Sequence, residues 1–219
     1  MVHFRRFSWS AVLLAVSLFA SSSGFAQNAV AAASNDARVA ELFESSFSHE
    51  ASGNTQRALT DIQDVIKLAP QHYLGNLRLG WLSYAKQRYD EAVTAYQKAA
   101  ELAPRALEPQ LGVMLPLMAA KRWASAEKLG RAILAVAPRN YLATSRLAYI
   151  AFSQGKFSDS EQLYRQVLED YPGDLDMMVG LGWAQLRQGK RDEARQSFKQ
   201  VLGVSRQNPG AKAGLEAAK

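Results

Sequence analysis

The sequence predicts an all-α protein of stacked helical hairpins, and three regularities support this prediction. Prolines recur at one constant interval, at Pro70, Pro104, Pro138 and Pro172. Within each interval, apolar residues recur at helical spacing in two separate runs. Small residues also recur twelve places before each proline, and a fifth copy without a proline continues them: Ala58, Ala92, Ala126, Ser160 and Ala194.

Each regularity has a physical reason. In the second copy, the apolar runs at 77–84 and 92–99 flank a short polar turn, which predicts two helices joined as a hairpin. Small residues let the two backbones approach where the helices cross. A bulky residue eight places before the proline, such as Tyr96, fills the space beside the crossing. The proline ends the second helix because it lacks a backbone N–H and disfavours helix in its predecessor.

Residues 1–26 are predicted to be a cleaved secretory signal peptide. Two arginines precede a short apolar run at residues 11–20, and small residues at Gly24 and Ala26 suit a cleavage site. The run is shorter than the roughly 20 residues that span a bilayer, although an uncleaved anchor is the alternative. The signal predicts an exported protein, periplasmic or secreted, and residues 27–35 are expected to form a flexible lead-in.

The composition excludes several classes of site. The chain is 48% hydrophobic and 21% charged, which is typical of a folded soluble protein. It has no cysteine, so disulfides, thiolate metal sites, a cysteine nucleophile and a lipidated cysteine anchor are all excluded. The formal net charge is +6, which is either scattered solvated charge with no specific role or a feature that favours an acidic partner surface. No block of like charge indicates a nucleic-acid groove.

The period and its residue types resemble the tetratricopeptide repeat, whose unit is about 34 residues long. The second copy, NLRLGWLSYAKQRYDEAVTAYQKAAELAP, is similar to a consensus unit. The resemblance covers about residues 36–205. It implies an α-solenoid, in which antiparallel helix pairs stack into a right-handed superhelix with a concave groove.

The predicted repeats fill residues 36–206, and a capping helix at 207–219 covers the last apolar face. The five repeats are expected at about 39–72, 73–106, 107–140, 141–174 and 175–208.

Two copies depart from the pattern. In the first copy, Ser45 and Ser46 replace a bulky-then-small pair, which weakens the prediction of a helix there. The third copy has Met114 at the small position and Gly130 at the bulky one.

The third copy also has Pro116 inside its first helix, where a kink is predicted. Gly112, four residues earlier, eases the clash with the proline ring. The kink either tunes the curvature of the stack or is tolerated drift.

The resemblance also implies which residues line the groove. In this family the first helix of each pair lines it, at three positions that recur at fixed places before the proline. Two arginines, Arg78 and Arg146, stand beside this stripe. The remaining candidates are mostly apolar or aromatic: Leu77, Trp81, Tyr84, Leu111, Leu115, Met118, Tyr149, Phe152, Val179, Trp183 and Leu186. Ser145 occupies the one polar position.

This stripe predicts a groove that takes an apolar peptide or helix of a partner, with Trp81 and Trp183 as the main contacts. The alternative is that several of these side chains pack between repeats. Some family members bind a carboxy-terminal carboxylate through a Lys/Asn clamp. That clamp is not expected here, because Leu77 and Trp81 occupy the corresponding positions.

No catalytic, metal or cofactor site is expected. After signal removal only His49 and His72 remain as histidines, both near helix ends or turns, and no known catalytic or phosphate-binding motif is visible. The predicted function is therefore a non-catalytic scaffold or adaptor of the periplasm or cell envelope. Its partner is a protein or peptide rather than a nucleic acid, and no membrane segment follows the signal. The alternatives are a self-associating structural protein and a non-catalytic subunit of an envelope export or assembly complex.

Overall fold

A computed structural model of the protein describes residues 34–219. In that part of the chain every regular element is an α-helix, as predicted. The predicted signal peptide and most of the lead-in lie outside the described residues, and residues 34 and 35 are already helical. The chain divides into two compact units, Met1–Pro70 and Gln71–Lys219.

The first unit contains one helical hairpin in its described part. Helix α1 occupies residues 34–51 and α2 is Thr55–Leu68. Ser46 is fully buried, and its hydroxyl donates a 2.9 Å hydrogen bond to the carbonyl of Ala58. The serine that weakened the prediction of a helix is therefore a small residue at the helix crossing, with its one polar group satisfied inside the hairpin.

The second unit is a stack of four hairpins and a final single helix. The first helices of the hairpins are α3 (Tyr73–Ala85), α5 (Leu107–Ala119), α7 (Tyr141–Ser153) and α9 (Leu175–Arg187). The second helices are α4 (Tyr89–Leu102), α6 (Trp123–Val136), α8 (Phe157–Asp170) and α10 (Arg191–Val204). Helix α11 (Pro209–Ala217) packs on both α9 and α10 and covers the end of the stack.

Size complementarity at the helix crossings holds each hairpin together. A Cβ atom added to Gly80 would lie 2.7 Å from the ring of Tyr96, so only glycine fits there. In the third predicted repeat, a Cβ atom on Gly130 would lie 2.8 Å from the terminal methyl group of Met114. The two residues that depart from the pattern have therefore exchanged roles, and together they fill the same space.

The proline in α5 does not end the helix, which runs on from Leu107 to Ala119 with Pro116 buried inside it. A Cβ atom on Gly112 would lie 2.5 Å from the ring of Tyr96. The glycine thus makes room for a ring of the neighbouring hairpin. The kink at Pro116 remains a prediction.

Candidate functional site

The first helices of the second unit form one continuous face. Contacts join α3 to α5, α5 to α7, α7 to α9, and α9 to α11. Among the described residues, by contrast, the second helices α4, α6, α8 and α10 make no comparable contacts with one another. The row of first helices is therefore the more closely packed side of this unit. We call the solvent-facing side of α3, α5, α7 and α9 the first-helix face.

All thirteen residues predicted to line a groove lie on these four helices, and none of them is fully buried. Two are the most exposed: the side chain of Trp81 is 44% exposed and that of Tyr149 is 50% exposed. The other eleven are half-buried: Leu77, Arg78, Tyr84, Leu111, Leu115, Met118, Arg146, Phe152, Val179, Trp183 and Leu186.

Neighbouring rings support the two exposed aromatic side chains. The ring of Trp81 lies 6.1 Å from that of Tyr84, which lies 6.3 Å from Tyr89 on the next helix. The ring of Tyr149 lies 6.2 Å from Trp123 in an edge-to-face arrangement. Such pairs favour particular ring orientations, so these side chains have less rotamer freedom to lose when a ligand binds.

Several predicted groove residues also pack inward, as the alternative interpretation expected. Leu77, Leu111 and Met118 contact the buried cluster around Met114 and Leu147. Phe152 packs on the next buried cluster along the stack. These side chains share their surface between solvent and core, so removing them would affect stability as well as binding.

In the last hairpin, too, predicted groove residues are partly exposed to solvent and partly packed against the core. Val179, Trp183 and Leu186 pack against the cluster around Phe198, and the rings of Trp183 and Phe198 are 5.6 Å apart. Trp183, predicted as a main contact, is therefore also a support of the core.

Arg146 connects two neighbouring first helices. Its Nη1 atom donates a 2.5 Å hydrogen bond to the carbonyl of Leu111 on α5, and burial lowers the pKa of its guanidinium. By register, Arg146 stands where Gly112 and Gly180 stand in neighbouring copies. Those glycines face the rings of Tyr96 and Tyr164.

The residue at the bulky position before Arg146 is Gly130, whereas the glycines at the equivalent position in neighbouring copies follow tyrosines.

The structure brings two further residues next to this face that the sequence analysis did not single out. Phe157 begins α8 and Arg187 ends α9, and both line an open cavity with Tyr149 and Phe152. The repeat register identifies groove positions within a helix. It carries no signal for side chains that meet around a turn between helices.

Ser45, His49 and Asp61 come together in the first unit, although the sequence showed no triad spacing. Nδ1 of His49 lies 2.7 Å from Oδ2 of Asp61, and the hydroxyl of Ser45 donates to the same oxygen at 2.9 Å. A serine nucleophile needs a hydrogen bond to the histidine nitrogen opposite the carboxylate. Here the hydroxyl lies on the Nδ1 side of the ring, 3.5 Å from that nitrogen, so the arrangement is that of a cross-link between α1 and α2.

His72 has a different structural role, since its Nδ1 accepts a 3.1 Å hydrogen bond from the backbone N–H of Gly75 and caps α3. Within residues 34–219, no cluster of three or more metal-binding side chains is present. No helix in the same range has the length and apolar character needed to cross a bilayer.

Comparison with solved structures places this architecture among tetratricopeptide-repeat proteins. MamA 41-end from Desulfovibrio magneticus RS-1 superposes with a TM-score of 0.71 at 17% identity, over 78% of this chain and 97% of that one. A tetratricopeptide repeat protein from Parabacteroides merdae superposes with a TM-score of 0.74 at 15% identity, over 83% of this chain and 72% of that one. YrrB, described as a TPR protein with an unusual peptide-binding site, superposes with a TM-score of 0.64 at 14% identity, over 80% of this chain and 90% of that one.

Sequence comparison supports the same family. No curated protein matches the chain. Two sequence profiles, both described as tetratricopeptide repeat, do match it: one at residues 48–106 and 146–212, and the other at residues 117–174. These matches cover most of the described chain, and they leave out most of α1 and most of α5. The chain belongs to the tetratricopeptide-repeat family.

Proposed function

We propose that this protein is a non-catalytic scaffold of the periplasm or cell envelope, which binds an apolar peptide or helix of a partner along the first-helix face. The exposure of Trp81 and Tyr149 carries the proposal, because both rings reach solvent on a face that is otherwise largely apolar. Soluble proteins rarely leave such a surface uncovered unless it binds something. Trp and Tyr are also the residues that most often dominate binding energy.

The kind of partner follows from the chemistry of the face. Leu77, Leu111 and Leu115 offer apolar contacts along successive helices, and few polar groups lie between them to bind a polar ligand. A peptide or amphipathic helix with apolar side chains at regular spacing matches this surface. The peptide-binding site named for YrrB supports a ligand of this class.

Two further observations support the rest of the proposal. The signal-like features at residues 1–26 favour an exported protein. The side-chain geometry at Ser45, His49 and Asp61 is that of a structural cross-link, which favours binding over catalysis.

The test begins with a partner, identified by crosslinking in the envelope fraction and then purified. Trp81→Ala and Tyr149→Ala should each weaken its binding by about 30-fold, equivalent to roughly 2 kcal/mol, measured by calorimetry. Tyr171→Ala is the matched control, since Tyr171 is 49% exposed, lies in the loop after α8 with its ring packed edge to face on Tyr141, and is not one of the predicted groove residues.

The melting temperature of each variant must be measured as well. This matters most if Trp183→Ala is included, because that substitution also removes a core contact with Phe198. Unchanged affinity in both Trp81→Ala and Tyr149→Ala, with the fold intact, would overturn the proposal. Light scattering at two protein concentrations separates a partner-binding face from one that pairs with a second copy.

A further inference from the structure

An open cavity extends the first-helix face towards the turn between α7 and α8. It has a volume of about 530 Å³, within the range of roughly 300–1,000 Å³ that ligand pockets occupy. Three aromatic rings, two polar side chains, one glycine and one guanidinium line it: Tyr149, Phe152, Phe157, Ser153, Gln154, Gly155 and Arg187. None of these lining residues carries a carboxylate.

The rings form an apolar wall and the guanidinium lies beside it. Phe152 and Phe157 pack edge to face with their centroids 5.4 Å apart. The Cζ atom of Arg187 lies 4.6 Å from the centre of the Phe157 ring, in a cation–π contact that holds the charge next to the apolar surface. Arg187 is exposed to solvent, and within residues 34–219 no carboxylate forms an ion pair with it.

Two acids of the second helices near this turn, Glu161 and Glu127, are engaged by other side chains. Glu161 accepts hydrogen bonds from Arg165, Gln188 and Lys190. Glu127 accepts from Lys156, the residue after Gly155 in the turn, at 3.0 Å. These contacts neutralise Lys156 and Lys190, whereas Arg187 is the one charged residue that lines the cavity.

One lining residue also has an unmet hydrogen-bonding need. The side-chain Oε1 atom of Gln154 is buried and has no hydrogen-bond donor within the described part of the chain. A buried acceptor without a partner costs roughly 1–3 kcal/mol, so this amide lowers the stability of the turn beside the cavity.

We propose that this cavity binds an aromatic side chain of the partner peptide, and that an adjoining carboxylate of the same peptide pairs with Arg187. The inference rests on the proposed function and deepens it, since it assigns an aromatic–acidic pair of residues as the anchor of the ligand. The aromatic ring contacts Tyr149, Phe152 and Phe157, and the carboxylate matches the planar fork of the guanidinium.

The test uses three capped dipeptides as probes with the ¹⁵N-labelled mature chain: acetyl-Phe-Glu-amide, acetyl-Phe-Gln-amide and acetyl-Ala-Glu-amide. Acetyl-Phe-Glu-amide should shift the amide signals of Gln154, Gly155 and Arg187. The other two probes should bind at least about fivefold more weakly, because each lacks one half of the anchor, worth about 1 kcal/mol. Equal binding of the Glu and Gln probes, or no shift at these residues, would overturn the proposal.

Two substitutions separate a specific contact from general attraction by a basic protein. Arg187→Gln should lower the affinity for acetyl-Phe-Glu-amide to that of acetyl-Phe-Gln-amide and leave the latter unchanged. Arg195→Gln on α10 is the matched control, because Arg195 is exposed and lies on a second helix. An equal effect of both substitutions would contradict the assignment.

The affinities of the variants for the purified partner show whether only the anchor cavity or the whole proposed function is wrong. Lower affinity in both Trp81→Ala and Arg187→Gln supports both. Lower affinity in Trp81→Ala alone overturns the anchor cavity and leaves the binding face in place. Unchanged affinity in Trp81→Ala, Tyr149→Ala and Arg187→Gln overturns both.

Discussion

At the scale of single residues, the stack depends on pairs whose sizes are matched across helices. Gly80 faces Tyr96, Gly182 faces Phe198, and Gly130 faces Met114 with the sizes reversed. Protein interiors are packed as densely as organic crystals, so a methyl group added at such a contact must displace its neighbour. The glycines are therefore required for packing rather than for backbone freedom.

Gly182→Ala should lower the free energy of unfolding by about 1–2 kcal/mol. The new methyl group would lie 2.6 Å from the ring of Phe198, and overpacking of this kind costs about 1–3 kcal/mol. Alanine recovers up to about 1 kcal/mol of helix propensity, which the clash exceeds. Urea denaturation measures the difference.

Gly203→Ala is the matched control for this substitution. Gly203 lies in α10 with no atom near the added methyl group, so alanine should raise stability by about 0.5–1 kcal/mol. A loss at Gly203 equal to the loss at Gly182 would refute the packing explanation.

At the scale of elements, every hairpin turn closes in the same way. The second residue after the first helix adopts a positive φ angle, at Gly53, Gly155 and Gly189 and also at Gln87 and Lys121. The next backbone N–H then bonds to the carbonyl five residues back, as from Arg88 to Ser83 at 2.8 Å. This is the Schellman arrangement, which satisfies the last carbonyls of a helix.

Gln87→Gly and Lys121→Gly should each stabilise the protein by about 0.5 kcal/mol. A left-handed conformation costs a residue with a side chain about 1–2 kcal/mol, and the greater entropy of glycine in the unfolded chain cancels part of the gain. Both side chains are exposed, so little packing is lost. Thermal unfolding measures the gain.

Gly155→Ala provides the reverse comparison. The φ angle of Gly155 is +77°, so alanine at this position should lower the free energy of unfolding by about 1 kcal/mol. A destabilising effect of glycine at both Gln87 and Lys121 would show that their side chains contribute contacts that outweigh the strain.

At the scale of the whole stack, one buried and one half-buried carboxylate join neighbouring hairpins of the second unit. Burial disfavours ionisation of Glu161, but hydrogen bonds from Lys190, Arg165 and Gln188 outweigh it and lower its pKa to about 2. Glu127 has the same position one period earlier. Hydrogen bonds from Arg131 and Lys156 lower its pKa to about 2 as well.

These contacts make the stack sensitive to acid. The pKa of Glu161 falls from 4.5 when unfolded to about 2 when folded, so its contribution is complete above about pH 4.5 and is lost as the pH falls towards 2. Glu161→Gln should lower stability at pH 7 by about 2 kcal/mol and have little effect near pH 2. Urea denaturation across this pH range measures both.

Glu169→Gln is the control, because Glu169 is an exposed glutamate on the same helix. In a solenoid each repeat is stabilised mainly by its neighbours, so hydrogen exchange in Glu161→Gln should accelerate most in α9–α11. Uniform acceleration across the second unit, or an effect of Glu169→Gln equal to that of Glu161→Gln, would contradict this role.

The sequence alone predicted the parts of this protein that repeat. A proline at a constant interval and a small residue at each crossing are local signals, because a hairpin is closed by residues close together in the chain. The helices and their pairing therefore followed from periodicity, whereas the stripe containing Trp81 and Tyr149 was implied by the resemblance to the tetratricopeptide repeat. The sequence also marked Met114 and Gly130 as exceptions but gave no sign that they compensate each other.

Only the tertiary structure decided how those parts meet. Register places Trp183 and Trp81 at equivalent positions, yet the contact with Phe198 makes Trp183 part of the core while Trp81 stays exposed. The cavity between Phe157 and Arg187 depends on side chains of different hairpins, which meet only when those hairpins stack. Periodicity specifies which side of a helix faces its partner, whereas exposure, compensation and charge pairing depend on the particular side chains that the neighbouring hairpin supplies.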